Sequence, residues 1–81
     1  MRKTMVMNRT YKIILRKEDE GGYTVFVPSL PGCITYGENV DEAISMAKEA
    51  IELYLEELED RGEIVPDDSN VLEYSLNLAA V

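Results

Sequence analysis

The first part of the chain alternates apolar with polar side chains, which is the period of a β-strand. Apolar residues recur at every second position within residues 9–17 and again within residues 23–27. Between these runs lies a polar segment that ends in Gly21 and Gly22, and glycine adopts positive φ at little cost. The pattern therefore predicts two antiparallel strands joined by a hairpin loop.

Two further strands are predicted, one on each side of a helical segment. Pro31 followed by Gly32 has the order of a type II turn, so a short strand is expected at about residues 33–36. Near the other end, residues 71–80 also alternate between apolar and polar side chains. The apolar side chains of this run are Leu72, Tyr74, Leu76 and Leu78. Such alternation predicts a strand with one buried face and one face in water.

The segment between these strands has the features of a long amphipathic helix. Asn39 is a suitable N-cap, and Glu42 three residues later forms a capping-box-like pair with it. Arg61 and Gly62 supply a basic charge and a stop at the C-terminal end. Apolar residues at helical spacing form one stripe: Val40, Ala43, Ile44, Ala47, Ile51, Tyr54, Leu55 and Leu58. The stripe predicts a helix that buries one face against the sheet.

These elements predict a two-layer α+β domain in the order β-β-β-α-β. If the last strand pairs parallel with the first, a right-handed crossover gives a four-stranded mixed sheet of order 3-2-1-4, covered by one helix. A single helix covers only one face of such a sheet. The even-numbered side chains of the first two strands should then lie on the uncovered face: Lys12, Ile14, Arg16, Thr24 and Phe26.

Ile14 and Phe26 would form an apolar centre with a basic rim on that face, which favours a contact with another protein. Two alternatives stay open: isolated exposed apolar residues are ordinary, and a bulge in one strand would hide them. Because a domain this small leaves half of its sheet uncovered, a homodimer or larger homo-oligomer is also expected. It would form through this face or through the edge of the last strand.

Charge is distributed unevenly along the chain, whose net charge is −8. Residues 38–63 contain ten acidic residues against two basic ones, and such a helix should attract a basic protein. The predicted partner contacts on this helix are Glu49, Glu52 and Glu56. The alternative interpretation is a solvated acidic face that keeps a small protein in solution.

The N-terminal segment is basic instead. Residues 1–17 contain six basic residues and no acidic one. The chain is expected to form a single domain that spans residues 1–81. Within it, residues 1–8 should fray as a short basic arm. Arg2, Lys3 and Arg9 are therefore candidate contacts to nucleic-acid phosphates. The strongly acidic remainder of the domain opposes such binding.

The chain has no histidine and a single cysteine, Cys33. Without histidine the chain cannot form a Ser–His–Asp triad or a Cys–His pair, and one cysteine cannot form an intramolecular disulfide. The composition also disfavours a structural zinc site. Because no histidine can activate its thiol, Cys33 is interpreted as a core residue. Two-metal chemistry needs acidic side chains that converge on both ions, and residues 9–17 contain none. Asp67 and Asp68 are neighbouring acids in a loop and are interpreted as a polar turn. We expect no enzyme activity, no catalytic residue and no metal or other cofactor. Without a signal-peptide-like or membrane-spanning apolar run, a cytoplasmic location is expected.

Two neighbouring stretches together resemble the HicB antitoxin family. The first is Gly21–Cys33, with the sequence GGYTVFVPSLPGC, and the second is Thr35–Ala43, with the sequence TYGENVDEA. The order of hairpin, Pro-Gly-Cys bend, capped helix start and Glu-Ala helix body carries the resemblance, which extends over about residues 11–78. It implies a truncated RNase H-like fold with the strand order given above.

The resemblance also implies a function. HicB antitoxins neutralise HicA, a small basic toxin that cleaves mRNA and whose catalytic histidine the antitoxin obstructs. Many members carry a C-terminal helix-turn-helix or ribbon-helix-helix segment, and none is expected after the last predicted strand here, so operon autoregulation is not predicted. The leading prediction is an antitoxin-like protein that sequesters a HicA-type toxin. The alternative is a solitary HicB-like homo-oligomer that binds nucleic acid or a regulatory partner through its basic N-terminal arm.

Overall fold

A computed structural model describes residues 8–80 as a three-stranded antiparallel sheet with one long helix packed on it. The elements are β1 (Ile14–Lys17), β2 (Tyr23–Phe26), β3 (Ile34–Gly37) and α1 (Val40–Asp60). The strands lie in the order β1-β2-β3, which confirms the 3-2-1 part of the predicted sheet. Within the described part of the chain, no helix is long and apolar enough to cross a membrane.

Strand β1 is shorter than the predicted run of residues 9–17 because of its partner. In the β1–β2 register Ile14 faces Phe26, so residue 12 would face Pro28, which has no backbone N–H to donate. The β1–β2 ladder ends there, while on the β3 side the backbone N–H of Val27 still donates to the carbonyl of Cys33. The predicted hairpin loop is confirmed, with Gly21 and Gly22 both at positive φ.

Helix α1 begins and ends where its local sequence signals predict. The side chain of Asn39 accepts a hydrogen bond of 2.8 Å from the backbone N–H of Glu42. At the other end Gly62 has a φ of +69°, and the backbone N–H of Glu63 donates to the carbonyl of Leu58. Together with the bond from Gly62 N–H to the carbonyl of Glu59, this is a Schellman motif. Both caps are confirmed.

The core lies between α1 and the face of the sheet that carries the odd-numbered residues of β1 and β2. One cluster contains Val25, Ala43 and Ala47, and the other contains Val27, Leu30, Cys33 and Leu58. The predicted inward orientation of the odd-numbered residues is therefore confirmed. The helix approaches β3 most closely at Gly37, where an added Cβ would lie 2.3 Å from the backbone N of Ala43.

The last predicted strand, residues 71–80, is not paired with β1 in this structure. All ten residues are exposed, and they form no strand with any described part of the chain. The preceding segment does reach the start of β1, since the backbone N–H of Asp68 donates to the carbonyl of Thr10 at 2.7 Å. The N–H of Val71 then donates back to the carbonyl of Asp68 at 2.9 Å, so the chain turns before it can continue along β1.

Candidate protein-interaction surfaces

The uncovered face of the sheet carries a row of three apolar side chains. Ile14 lies opposite Phe26, and Phe26 lies opposite Ile34, so the row crosses all three strands. Ile14 is 44% exposed and Ile34 57% exposed, whereas Phe26 is half-buried between them. We call this row the open-face row. The structure therefore places Ile14 and Phe26 on the uncovered face, where the sequence predicted them.

The rim of this face is less basic than the sequence suggested. The guanidinium of Arg16 lies 5.0 Å from the centre of the Phe26 ring, in cation–π geometry. Its Nε is also 2.9 Å from a carboxylate oxygen of Glu18. Hydrogen bonds from Thr24 and Arg16 lower the pKa of the Glu18 carboxyl. The positive charge of Arg16 is thus paired within the molecule.

Ile34 and Tyr36 belong to the same face and were missed by the sequence reasoning. Tyr36 lies opposite Thr24, and its hydroxyl donates a hydrogen bond of 3.0 Å to the carbonyl of Gly21. Partial desolvation, followed by the acidic residues around it, raises the pKa of the Tyr36 phenol. The structure shows Gly37 facing the helix closely, which places its neighbour Tyr36 on the other side of the strand; the sequence of β3 alone did not signal this contact.

The predicted acidic contacts lie on the outer side of α1. Glu49, Glu52 and Glu56 are exposed and, with Leu53, line a shallow depression of about 250 Å³. Leu53 is 66% exposed at the centre of these carboxylates. Among residues 8–80, none of the three glutamates forms an ion pair. We call these four residues the acidic patch.

The acidic patch and the open-face row lie on opposite sides of the molecule. Helix α1 packs its alanines against Val25 on the inner sheet face, and the glutamates point away from that contact. Ile14 and Phe26 alternate with the inward-facing positions and so lie on the far side of the sheet. The structure thus does not bring the five predicted partner contacts together, but divides them between two surfaces.

The predicted nucleic-acid contacts are only partly within the described residues. Arg2 and Lys3 lie outside them. Arg9 is described, and its guanidinium is 3.5 Å from a carboxylate oxygen of Glu59 on α1. This ion pair is on the surface and therefore weak, so a phosphate contact by Arg9 stays a prediction.

Asp67 and Asp68 join the end of the domain to its beginning. Asp68 is only 3% exposed, and its carboxylate accepts hydrogen bonds from the Ser29 hydroxyl and, at 2.8 Å, from the backbone N–H of Lys12. Asp67 accepts from the backbone N–H of Thr10 at 2.8 Å. These bonds are what a structural turn requires, in agreement with the sequence interpretation. Over residues 8–80, no group of three or more acidic, histidine or cysteine side chains is arranged to hold a metal ion.

Comparison with known proteins identifies the family. The family model described as the HicB-like antitoxin of bacterial toxin–antitoxin systems matches residues 11–79. A UPF0150 protein of Thermoplasma acidophilum is 44% identical over 59 residues, which cover 73% of this chain and 86% of that protein. A UPF0150 protein of Archaeoglobus fulgidus is 52% identical over 46 residues, which cover 57% of this chain and 67% of that protein.

One relative carries a functional name. Antitoxin HicB 1 of Photorhabdus laumondii is 36% identical over 59 residues, which cover 68% of this chain but only 38% of that protein. No solved structure is similar enough to count as a match. The family match includes all three strands, the capped helix and the bend between them, which are the features that carried the resemblance in the sequence. The chain belongs to the HicB-like antitoxin family of bacterial toxin–antitoxin systems.

Proposed function

We propose that this protein is an antitoxin that acts by binding, not by catalysis, and that it sequesters a small basic HicA-type toxin. Membership of the HicB-like antitoxin family supports a toxin–antitoxin role in general. The acidic patch is the observation that carries the finer proposal. Its carboxylates have no cationic partner among the described residues, so a basic protein can supply one.

The composition of the acidic patch suits a protein contact. An interface is strongest where an apolar anchor is surrounded by groups that exclude water, and Leu53 is placed in this way among three glutamates. Opposite charges across the rim mainly accelerate association and select the partner. The patch therefore combines an anchor with a charge pattern that rejects acidic proteins.

The remaining expectations follow from the same proposal. A toxin that cleaves mRNA acts in the cytoplasm, which is where its antitoxin has to bind it. The open-face row of Ile14, Phe26 and Ile34 is a second apolar surface and would serve a further contact with the toxin or with another copy. We also propose that the complete sheet has the order 3-2-1-4 of a truncated RNase H-like fold. The segment that reaches Thr10 beside the start of β1 supports this order.

A binding experiment tests the proposal directly. The neighbourhood of the gene is searched for a short reading frame that encodes a basic protein, and the affinity of its purified product for this protein is measured by calorimetry together with inhibition of its RNA cleavage. A stable complex that blocks cleavage is the expected result. Absence of any complex with this product, or a complex that leaves cleavage unchanged, would contradict the proposal.

Charge-neutralised variants then locate the surface. The triple variant Glu49→Gln, Glu52→Gln, Glu56→Gln should bind the toxin about tenfold more weakly, since three rim charges worth up to about 0.5 kcal/mol each are removed. The matched control removes three charges elsewhere, through Asp19→Asn, Glu20→Gln and Glu38→Gln, all of which are exposed. Equal losses in both variants would assign the effect to net charge and not to the acidic patch.

A further inference from the structure

Residues 71–80, which we call the C-terminal arm, have the pattern of a strand but pair with no other part of the chain that the structure describes. The apolar side chains that share one side of the arm are all highly exposed: Leu72 at 89%, Tyr74 at 79%, Leu76 at 77% and Leu78 at 83%. The residues between them, Glu73, Ser75 and Asn77, are polar. A folded monomer rarely exposes so many large apolar side chains in one continuous segment, so the arm is built to be covered.

A groove of matching character lies beside β1. It has a volume of about 510 Å³ and runs between the segment that leads into β1 and helix α1. Its apolar lining consists of Tyr11, Ile13, Ile44, Ala47, Ile51 and Leu55. Arg9, Lys48 and Glu52 supply polar groups to the same lining. No residue of the C-terminal arm contributes to this lining.

The strand next to the groove also has an unpaired edge. In the order β1-β2-β3, β1 has β2 on one side only, so the outward N–H and C=O groups of Ile14–Lys17 have no strand partner among residues 8–80. An exposed edge of this kind binds an extended segment by adding a strand, with main-chain hydrogen bonds for affinity and pockets for alternate side chains. The groove and the edge together therefore form a receptor for one strand with apolar residues on one face.

The root of the arm is held against the molecule, while the arm itself is directed away. Asp68 is fixed by its hydrogen bonds to Lys12, Ser29 and Thr10, and the turn closed by Val71 N–H follows at once. The principal-axis extents of the molecule are 59 × 27 × 21 Å, so it is elongated. Ten extended residues span about 33 Å, which is enough to reach beyond the body of a domain this small.

We propose that the C-terminal arm of one copy lies along the β1 edge of a second copy, with its apolar face in the groove, and that the two copies exchange arms reciprocally. The exchange completes the fourth strand in each copy, so the groove is incomplete without the partner's arm. A two-fold exchange is closed, which leaves neither groove nor arm open for further growth.

The size of the interface and the charge of the arm favour a second copy of this chain as the partner that exchanges arms. Each copy contributes ten arm residues and ten groove residues to the interface. This number lies at the lower end of the range for a typical specific interface, which has about 20–30 residues on each side. Within the arm, Glu73 is the one charged residue, so the arm approaches an acidic protein with little repulsion. A basic toxin, in contrast, finds its complementary charges at the acidic patch, of which Glu52 alone also lines the groove.

The first test is the mass in solution of the full chain and of three variants, measured by light scattering over a range of concentrations. The wild type should be a dimer. Leu76→Glu in the arm and Ile44→Glu in the groove should each raise the dimer dissociation constant about 100-fold or more, since each variant places two charges in apolar sites. Ile64→Glu is the matched control, because Ile64 is 92% exposed and lies outside both the arm and the groove. It should remain a dimer, and circular dichroism should show that all variants are folded.

The second test distinguishes exchange from other modes of association. A mixture of the Leu76→Glu and Ile44→Glu chains retains one intact arm and one intact groove, on different molecules. The mixture should therefore form a heterodimer at concentrations at which each variant alone is monomeric. A monomeric wild type would overturn the proposal, as would dimers of both variants or a mixture that stays monomeric. The toxin provides an independent readout, measured as protection of the arm from proteolysis. If the arm is protected only when the toxin is bound, the arm belongs to the toxin interface, and the exchange is equally overturned.

Discussion

The backbone N–H of Lys12 donates a hydrogen bond of 2.8 Å to the carboxylate of Asp68, joining positions that are 56 residues apart in the chain. The same carboxylate accepts from the Ser29 hydroxyl. A single side chain thus ties together the segment before β1, the bend after β2 and the root of the C-terminal arm. Hydrogen bonds to this buried acid therefore help to hold the end of the domain against its beginning.

We expect Asp68→Ala to be among the most destabilising single substitutions. It leaves the Lys12 N–H and the Ser29 hydroxyl without their partner in a site where Asp68 is 3% exposed. Two such losses should lower the free energy of unfolding by about 2–4 kcal/mol. Urea unfolding followed by circular dichroism measures the change. Asp19→Ala, at an exposed hairpin position, is the control and should change stability by less than about 0.5 kcal/mol.

Gly37→Ala tests how closely the helix approaches the sheet. The new methyl group would lie 2.3 Å from the backbone N of Ala43, so the start of α1 has to move. We expect a loss of about 1–3 kcal/mol, as for other overpacked sites, measured as a lower midpoint of thermal unfolding. Because Gly37 does not have a positive φ, the loss would be steric and not conformational. The control is Ser45→Ala, at an exposed position on α1. If Gly37→Ala and Ser45→Ala had equal stability, the contact between Gly37 and α1 would be loose.

Cys33 should be an unreactive thiol in the folded protein. It is 5% exposed within the core, and its burial raises the pKa of the thiol, which lowers the fraction of reactive thiolate. A colorimetric thiol reagent at pH 8 should react slowly with the native protein and rapidly in urea. In Ser45→Cys, a second and exposed thiol should react within the dead time of the same assay. Equal rates for native and unfolded wild type would be inconsistent with the buried position.

The carboxyl of Asp67 should contribute to the pH dependence of stability. Its pKa is lowered by hydrogen bonds from the Ser69 hydroxyl and from the backbone N–H of Thr10. The folded state therefore favours the ionised form, and this contribution is present above the unfolded pKa of about 3.9 and is lost as pH falls through the lower folded value. The difference in unfolding free energy between wild type and Asp67→Asn should accordingly be larger at pH 7 than at pH 2. A difference that does not depend on pH would show that the hydrogen bonds do not discriminate the charged form.

Features that depend on local sequence were predictable, whereas those that depend on distant partners were not. Asn39 with Glu42 and Gly62 fixed both ends of α1, because a cap involves only residues a few positions apart. Strand alternation placed Ile14 and Phe26 on the uncovered face for the same reason. The start of β1 at Ile14 depended on Pro28 across the ladder, which the sequence of β1 alone does not reveal.

The C-terminal arm shows the same limit most clearly. Its alternation of apolar and polar residues predicted a strand with one buried face, but all ten residues are exposed in this structure, because pairing also needs an available edge and a suitable approach. The turn between Asp68 and Val71 decides the approach, and nothing in the alternation specifies that turn. Ile34 and Tyr36 were missed because their exposure follows from the close contact of Gly37 with α1, a relationship between two elements.

The exposed arm also bears on how long the protein persists in a cell. Proteases bind their substrates as extended strands, and they cut most readily at exposed segments outside the folded body. The ten residues after Asn70 are already exposed and outside any helix or strand in this structure, so a protease can reach them without local unfolding. Any molecule that covers the arm therefore protects the chain at an accessible segment. The lifetime of the protein would then follow the fraction of time for which the arm is covered.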